Sequence, residues 1–165
     1  MKQLLLTICF MFSIAGAKAQ KNDVDYNKYP CKDAANCKAA EPDVLKVATI
    51  LLDSEIDRAQ LDRLNGSSFL LRWMEGTPDY KFLIDSNISL LGGDVDLTGI
   101  YFASLVKYTL ENPALAEDNN AVKLGTWKLV ANYVGNEAYN VKLTRKLKKL
   151  VEANNNNTLE KFLEE

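Results

Sequence analysis

The chain has 165 residues, of which 47% are hydrophobic, and its 20 basic and 22 acidic residues give a net charge of −2. It contains no histidine. This composition excludes Ser-His-Asp and Cys-His catalytic arrangements within the chain, and also histidine-ligated zinc, haem and non-haem iron sites. The mildly acidic balance argues against a nucleic-acid footprint, so we expect no nucleic-acid partner.

Residues 1–19 have the features of a secretory signal peptide. Lys2 precedes an apolar run over 4–14, and Ala-Lys-Ala at 17–19 is an A-x-A cleavage signal. The apolar run is too short for a permanent membrane-spanning helix. Cleavage would also remove Lys2 and Lys18, leaving 18 basic against 22 acidic residues, or −4. We therefore predict a secreted or periplasmic protein without a transmembrane segment in the mature chain.

Cys31 and Cys37 are the two cysteines that lie beyond this signal. Structural zinc needs four ligands, and thioredoxin-type chemistry needs two residues between the sulfurs, whereas five stand here. In an oxidising compartment we expect a disulfide, with free thiols as the alternative. Residues six apart on a helix are separated by about 9 Å of rise, so the bridge implies a turn. We place it in an irregular segment, 20–41, ahead of a single helical domain, 42–165.

Apolar residues recur at helical spacing through most of this domain. The segment Tyr80–Ile84 alternates as an extended strand does, but one short strand cannot build a sheet. We therefore expect an all-α fold of five to six helices, packed as an irregular bundle or a helical-hairpin array. In chain order the predicted elements are a helix starting at Pro42, a helix from 54 or 57 to 75, a helical turn at 86–91, helices over 96–111, 121–134 and 141–153, and a terminal amphipathic turn at 159–163.

The stretch GGDVDLTG, residues 92–99, resembles two known sites. Asp94, Asp96 and Thr98 match the first half of an EF-hand loop, but Leu105 stands where calcium needs a glutamate. The same D-x-D-x-T also opens phosphatases of the haloacid dehalogenase type, in which a hydrophobic strand precedes the first aspartate. Here two glycines precede it. We favour N-terminal capping of the following helix and predict neither a metal site nor a cofactor.

Two carboxylates flank a Gly-Thr-Pro turn in the stretch RWMEGTPDYKF. Glu75 and Asp79 lie there beside Trp73 and Tyr80, and a carboxylate pair near aromatic rings is the arrangement that hydrolyses glycosides. The alternative is a helix end followed by an ordinary turn, which we favour. The tryptophan and the tyrosine are also candidates for ligand binding, although core packing is the commoner role in an apolar helical pattern.

The stretches WMEGTPDYKF, LTGIYFASLVKYTLEN and KLTRKLKKLVEANNNNTLEKFL resemble a group of secreted helical proteins of Gram-negative bacteria for which no activity is known. The likeness covers roughly residues 42–163. It implies a self-standing helical domain and supplies no site residues.

The predicted helix over 141–153 contains five basic residues within eight positions, namely Lys142, Arg145, Lys146, Lys148 and Lys149. Such a run is usually a solvated helix face, and near a helix C-terminus it also complements the dipole. Alternatively it binds a phosphate-bearing surface such as lipopolysaccharide. We favour a non-enzymatic domain that binds a protein partner or a cell-envelope component, with a glycosidase-like hydrolase using Glu75 and Asp79 as the alternative.

Overall fold

A computed structural model describes residues 24–57 and 61–164, so the predicted signal peptide lies outside the described residues. Within these ranges the chain is helical and has no strand, which confirms the all-α prediction. The α-helices are α1 (Ala34–Leu52), α2 (Leu61–Gly76), α3 (Val95–Glu111), α4 (Asn119–Gly135), α5 (Arg145–Asn155) and α6 (Leu159–Glu164), and the 3₁₀ helices are Ser86–Leu91, Pro113–Leu115 and Glu137–Tyr139.

The first helix begins eight residues earlier than we predicted. Its N-cap is Asp33, whose Oδ1 accepts a hydrogen bond from the backbone N–H of Asn36 at 2.8 Å. Pro42 lies inside α1, where it removes one backbone hydrogen bond. The predicted start at Pro42 is therefore wrong, because an aspartate cap upstream is the stronger start signal. Residues 34–41 are helical, and the irregular lead-in of the described chain is confined to 24–33.

Two other helix starts also differ from the prediction. Residues 54–57 are not helical, and α2 is described from Leu61. The helix predicted from 141 begins at Arg145, because Thr144 is its N-cap. Thr144 has an extended backbone, and its Oγ1 accepts a hydrogen bond from the N–H of Leu147 at 3.2 Å. The remaining elements agree with the prediction within two residues at each end.

Helix α3 is the centre of the molecule and contributes to two apolar cores. Ala103 and Val106 pack with α1 and α2, in what we call the N-terminal core. Tyr101 and Leu105 belong instead to the C-terminal core, with α4, α5, α6 and the 3₁₀ helix Ser86–Leu91. A helix that is apolar on most sides must be packed on several sides, and α3 meets that requirement by lying between two sets of helices.

The N-terminal core contains the disulfide. Cys31 precedes α1 and Cys37 lies in its first turns, with Cα atoms 4.3 Å apart, so the predicted bond is present. Both residues are buried, and their sulfurs lie 3.8 Å from the carbonyl oxygen of Trp73 and 3.4 Å from that of Gly76. The prediction placed the bond on an irregular N-terminal loop, whereas Cys37 is helical and the bond packs against the end of α2.

The C-terminal core is centred on Trp127, which is fully buried and lies 5.3 Å from Tyr101, measured between ring centroids. The ring of Tyr108 lies directly over Gly125, where an added Cβ would come within 2.0 Å of a ring carbon. A larger residue at 125 would force α3 and α4 apart. None of the helices in the described ranges combines the length and the apolar character that crossing a bilayer requires.

Candidate functional site

Glu75 and Asp79, the predicted carboxylate pair, are both exposed. Glu75 occupies the last turn of α2, and the N–H of Asp79 approaches the Oγ1 of Thr77 at 3.4 Å in the turn that follows. Neither residue lines the concavities described below. A glycosidase needs its carboxylates to face each other across an enclosed substrate. The hydrolase hypothesis therefore gains no support from this arrangement.

Trp73 and Tyr80, the weak ligand-binding candidates, belong to the packing of the N-terminal core. Trp73 has no exposed surface, and its Nε1–H donates to the carbonyl of Cys37 at 3.0 Å. Its ring lies 5.8 Å from the ring of Tyr80 and 5.7 Å from that of Phe82. A ring enclosed in this way has no face left for a sugar or another ligand. Core packing, the alternative role predicted for Trp73, is therefore what the structure shows, and the ring of Tyr80 covers the Trp73 ring on its outer side.

Asp94, Asp96 and Thr98 lie at the beginning of α3, where Asp94 is the N-cap. The Oδ1 of Asp94 accepts from the N–H groups of Asp96 and Leu97, at 2.9 and 3.1 Å. The hydroxyl of Thr98 donates to the carbonyl of Asp94 at 2.7 Å. Among the residues that the structure describes, no three histidine, cysteine or acidic side chains come together as metal ligands. The capping interpretation is confirmed.

The basic residues predicted as a binding face all lie on the exposed surface at the beginning of α5. This basic surface consists of Lys142, Arg145, Lys146, Lys148 and Lys149. Because the helix begins at Arg145, the charges stand at its N-terminal end, and the last turn contains no basic residue. The expectation that they complement the dipole at a C-terminus is therefore wrong. At an N-terminus the dipole adds to their positive potential, which costs helix stability and strengthens attraction for anions.

A shallow concavity of about 350 Å³ adjoins the basic surface, between α5 and α6. Lys149 and Lys161 line it together with Glu152, and Phe162 supplies an apolar wall. Lys161 extends the cationic region beyond the residues that the sequence singled out. The sequence predicts α6 only as a separate amphipathic turn. It does not indicate that Lys161 lies beside Lys149, because only the fold brings the two residues together.

Another concavity, of about 420 Å³, separates the lead-in segment from α1. Asp25, Lys28 and Asp43 contribute charges of both signs to its lining, with Tyr29 and Phe69 among the apolar residues. It contains none of the residues predicted as a site. The mixed charges at its wall define no ligand chemistry.

Known proteins give no match to this chain. No family model matches it, and neither a search of curated proteins nor a search of solved structures found a similar protein. The resemblance to secreted helical proteins of Gram-negative bacteria therefore stays a prediction.

Proposed function

We propose that this protein is a secreted or periplasmic helical domain that binds a phosphate-bearing component of the cell envelope through the basic surface on α5. The observation that carries the proposal is the position of those charges. Arg145, Lys146, Lys148 and Lys149 fall within the first five residues of α5, where the first turn contains no acidic residue. Five of the 20 basic residues of a net acidic chain thus lie between positions 142 and 149.

The disulfide and the N-terminal sequence support the secreted or periplasmic location in this proposal. A bond between Cys31 and Cys37 is typical of oxidising compartments, and the signal-like residues 1–19 would direct the chain there. Phosphate groups on the lipids of an envelope would be within reach of such a protein. The adjacent concavity with Lys149 and Lys161 offers room for a phosphorylated headgroup.

The test uses vesicles containing a phosphate-bearing anionic lipid, phosphatidylglycerol, compared with vesicles of zwitterionic phosphatidylcholine. We expect binding to the anionic vesicles only, weakening as salt is raised. Each lysine near an anionic surface contributes about 1 kcal/mol, so the double change Lys146→Gln and Lys149→Gln should weaken binding by about 30-fold.

A matched control separates a surface effect from net charge. Lys28→Gln with Lys32→Gln removes two exposed lysines of the lead-in segment and leaves α5 untouched. This variant should bind the anionic vesicles as the parent protein does. Equal weakening in both double variants, or no binding by the parent protein, would refute the proposal.

A further inference from the structure

The segment 81–84 presents a row of backbone groups without partners. None of its N–H or C=O groups makes a hydrogen bond to another described residue. The chain is neither helical nor turned from Tyr80 to Asp85. A row of backbone groups without partners is a template on which an added strand can pair.

Side chains alternate as on a strand from Tyr80 to Leu83, and Ile84 departs from the alternation because it is exposed next to Leu83. Tyr80 and Phe82 point towards Trp73, and their ring centroids are 6.3 Å apart, close to the two-residue repeat of about 6.6 Å in a strand. Leu83 and Ile84 remain 61% and 57% exposed. Two large apolar side chains therefore flank the unpaired backbone on the solvent side.

A cavity of about 140 Å³ opens beside this segment, towards α3 and the beginning of α4. Lys81, Leu83 and Lys123 line it, and Thr126 stands in its wall. Thr126 is 1% exposed, and its hydroxyl has no hydrogen-bond partner among the described residues. A buried polar group without a partner costs about 1–3 kcal/mol, so a ligand that supplies the partner recovers that energy.

We propose that the segment 81–84 and this cavity form a docking site for an extended peptide of a partner protein. The peptide adds a strand along residues 81–84, where main-chain hydrogen bonds provide affinity and a side-chain pocket provides specificity. A water molecule occupies about 30 Å³, so the cavity has room for one side chain of moderate size. That side chain supplies the partner for the Thr126 hydroxyl.

The charges around the cavity select an acidic side chain in the peptide. Lys81 and Lys123 bring two positive charges to its lining. The one carboxylate there, Asp85, is already engaged through both oxygens. Its Oδ1 accepts from the N–H of Asn87 at 2.6 Å, and its Oδ2 accepts from Nε1–H of Trp127 at 2.7 Å. We therefore expect a carboxylate at the cavity and apolar residues opposite Leu83 and Ile84.

The experiment selects a phage-displayed library of random heptapeptides on the full protein and then measures the enriched peptides by fluorescence polarisation. We expect enrichment of peptides that place an acidic residue among alternating apolar ones. Thr126→Val should weaken their binding by at least about tenfold, since it removes the hydroxyl that the acidic side chain bonds. Thr109→Val is the matched control, because Thr109 also has a buried, unpartnered hydroxyl but does not line the cavity.

Backbone pairing is tested separately by Leu83→Pro and Ile84→Pro. Neighbouring N–H groups of a strand point to opposite edges, so one of the two prolines should abolish binding and the other should not. Neither N–H is bonded in the folded protein, so both variants should fold.

Three results would overturn the proposal. They are failure to enrich any peptide, equal binding by both proline variants, and loss of binding only in the Lys146→Gln, Lys149→Gln variant. So would a concentration-dependent dimer that one of the prolines abolishes, since the occupant would then be a second copy of the chain.

Discussion

The two cores on either side of α3 are each built around a buried tryptophan, and each indole has a different partner. In the N-terminal core, Trp73 donates to a backbone carbonyl beside the disulfide. In the C-terminal core, Trp127 donates at 2.7 Å to the carboxylate of Asp85, a charge-assisted bond of roughly twice the usual strength. The first indole thus lies beside a covalent bond, whereas the second is hydrogen-bonded to a charged group.

The difference also concerns the sequence distance that each link covers. The disulfide closes a separation of six residues, while Asp85 and Trp127 are 42 apart and Asn87 reaches the carbonyl of Leu163 over 76. Ser54 joins the two sides, since its carbonyl accepts from Arg63 of α2 and from the hydroxyl of Tyr133 of α4. The N-terminal core thus has a local staple in addition to long-range links such as the bond from Trp73 to Cys37, 36 residues apart, whereas these links of the C-terminal core are all long-range.

The largest effect is expected from truncating the neighbouring residues Leu105 and Val106, which face different cores. Leu105→Ala should cost about 2–5 kcal/mol of unfolding free energy, and Val106→Ala about 2 kcal/mol, because fewer buried carbons are lost. Urea melts measure both. A greater loss for Val106→Ala would mean that the N-terminal core, and not the C-terminal one, dominates stability.

Replacing Cys31 and Cys37 together with alanine should lower the free energy of unfolding by about 2 kcal/mol, because the closed loop is short. Only the N-terminal core contains the bond, so hydrogen exchange should quicken at the start of α1 and at the end of α2, with α5 and α6 unaffected. Reductant should destabilise the parent protein and leave the double variant unchanged. Faster exchange in α5 as well would show that the staple supports both cores.

Thr109→Val and Thr126→Val should each raise the unfolding free energy by about 1 kcal/mol, since each removes a buried hydroxyl that has no partner. Thermal melts would detect the change as an increase in Tm. The two variants should differ in peptide binding. Thr126→Val should gain stability and lose peptide binding, whereas Thr109→Val should gain stability alone. If Thr126→Val destabilises the protein, its hydroxyl has a partner in solution.

The smallest effect at neutral pH concerns Tyr101 in the C-terminal core. Burial, with a further contribution from the Asp85 carboxylate, raises the pKa of Tyr101 from 10.0 to about 12. The unfolded state therefore loses this proton first, so stability is unaffected below pH 10 and falls as the pH rises towards 12. Urea melts across this range should show the fall, and Tyr101→Phe should reduce it. An equal fall in the variant would assign the effect to other groups.

Part of this structure follows from local signals. Asp85, Asp94 and Asp118 each precede a helical segment as an N-cap, so the corresponding elements were predicted nearly to the residue. Asp33 gives the same signal, but Pro42 downstream also resembles a helix start, and burial of Cys37 and Val44 on one helix decides between them. Competing local signals are resolved by packing, which sequence spacing does not reveal.

The candidate sites divide in the same way. Exposure of the basic surface could be predicted, because charged residues seldom enter a core without partners. The cavity beside residues 81–84 could not be predicted, since its walls come from segments more than 40 residues apart. The missing hydrogen-bond partner of the Thr126 hydroxyl is likewise evident only in the folded chain. The alternation in the sequence of Tyr80–Ile84 predicts an extended segment, but its unpaired backbone is evident only in the folded chain.

Because α3 contributes to both cores, we expect it to join them into one cooperative unit, and the two tryptophans can report on each core separately. Trp73→Phe leaves Trp127 as the only tryptophan, and Trp127→Phe leaves Trp73. In each variant, urea unfolding is followed by tryptophan fluorescence and by far-UV circular dichroism. We predict that the two signals share one midpoint within each variant, as two-state unfolding requires. Fluorescence and helicity that are lost at different urea concentrations within one variant would show that the two cores unfold independently.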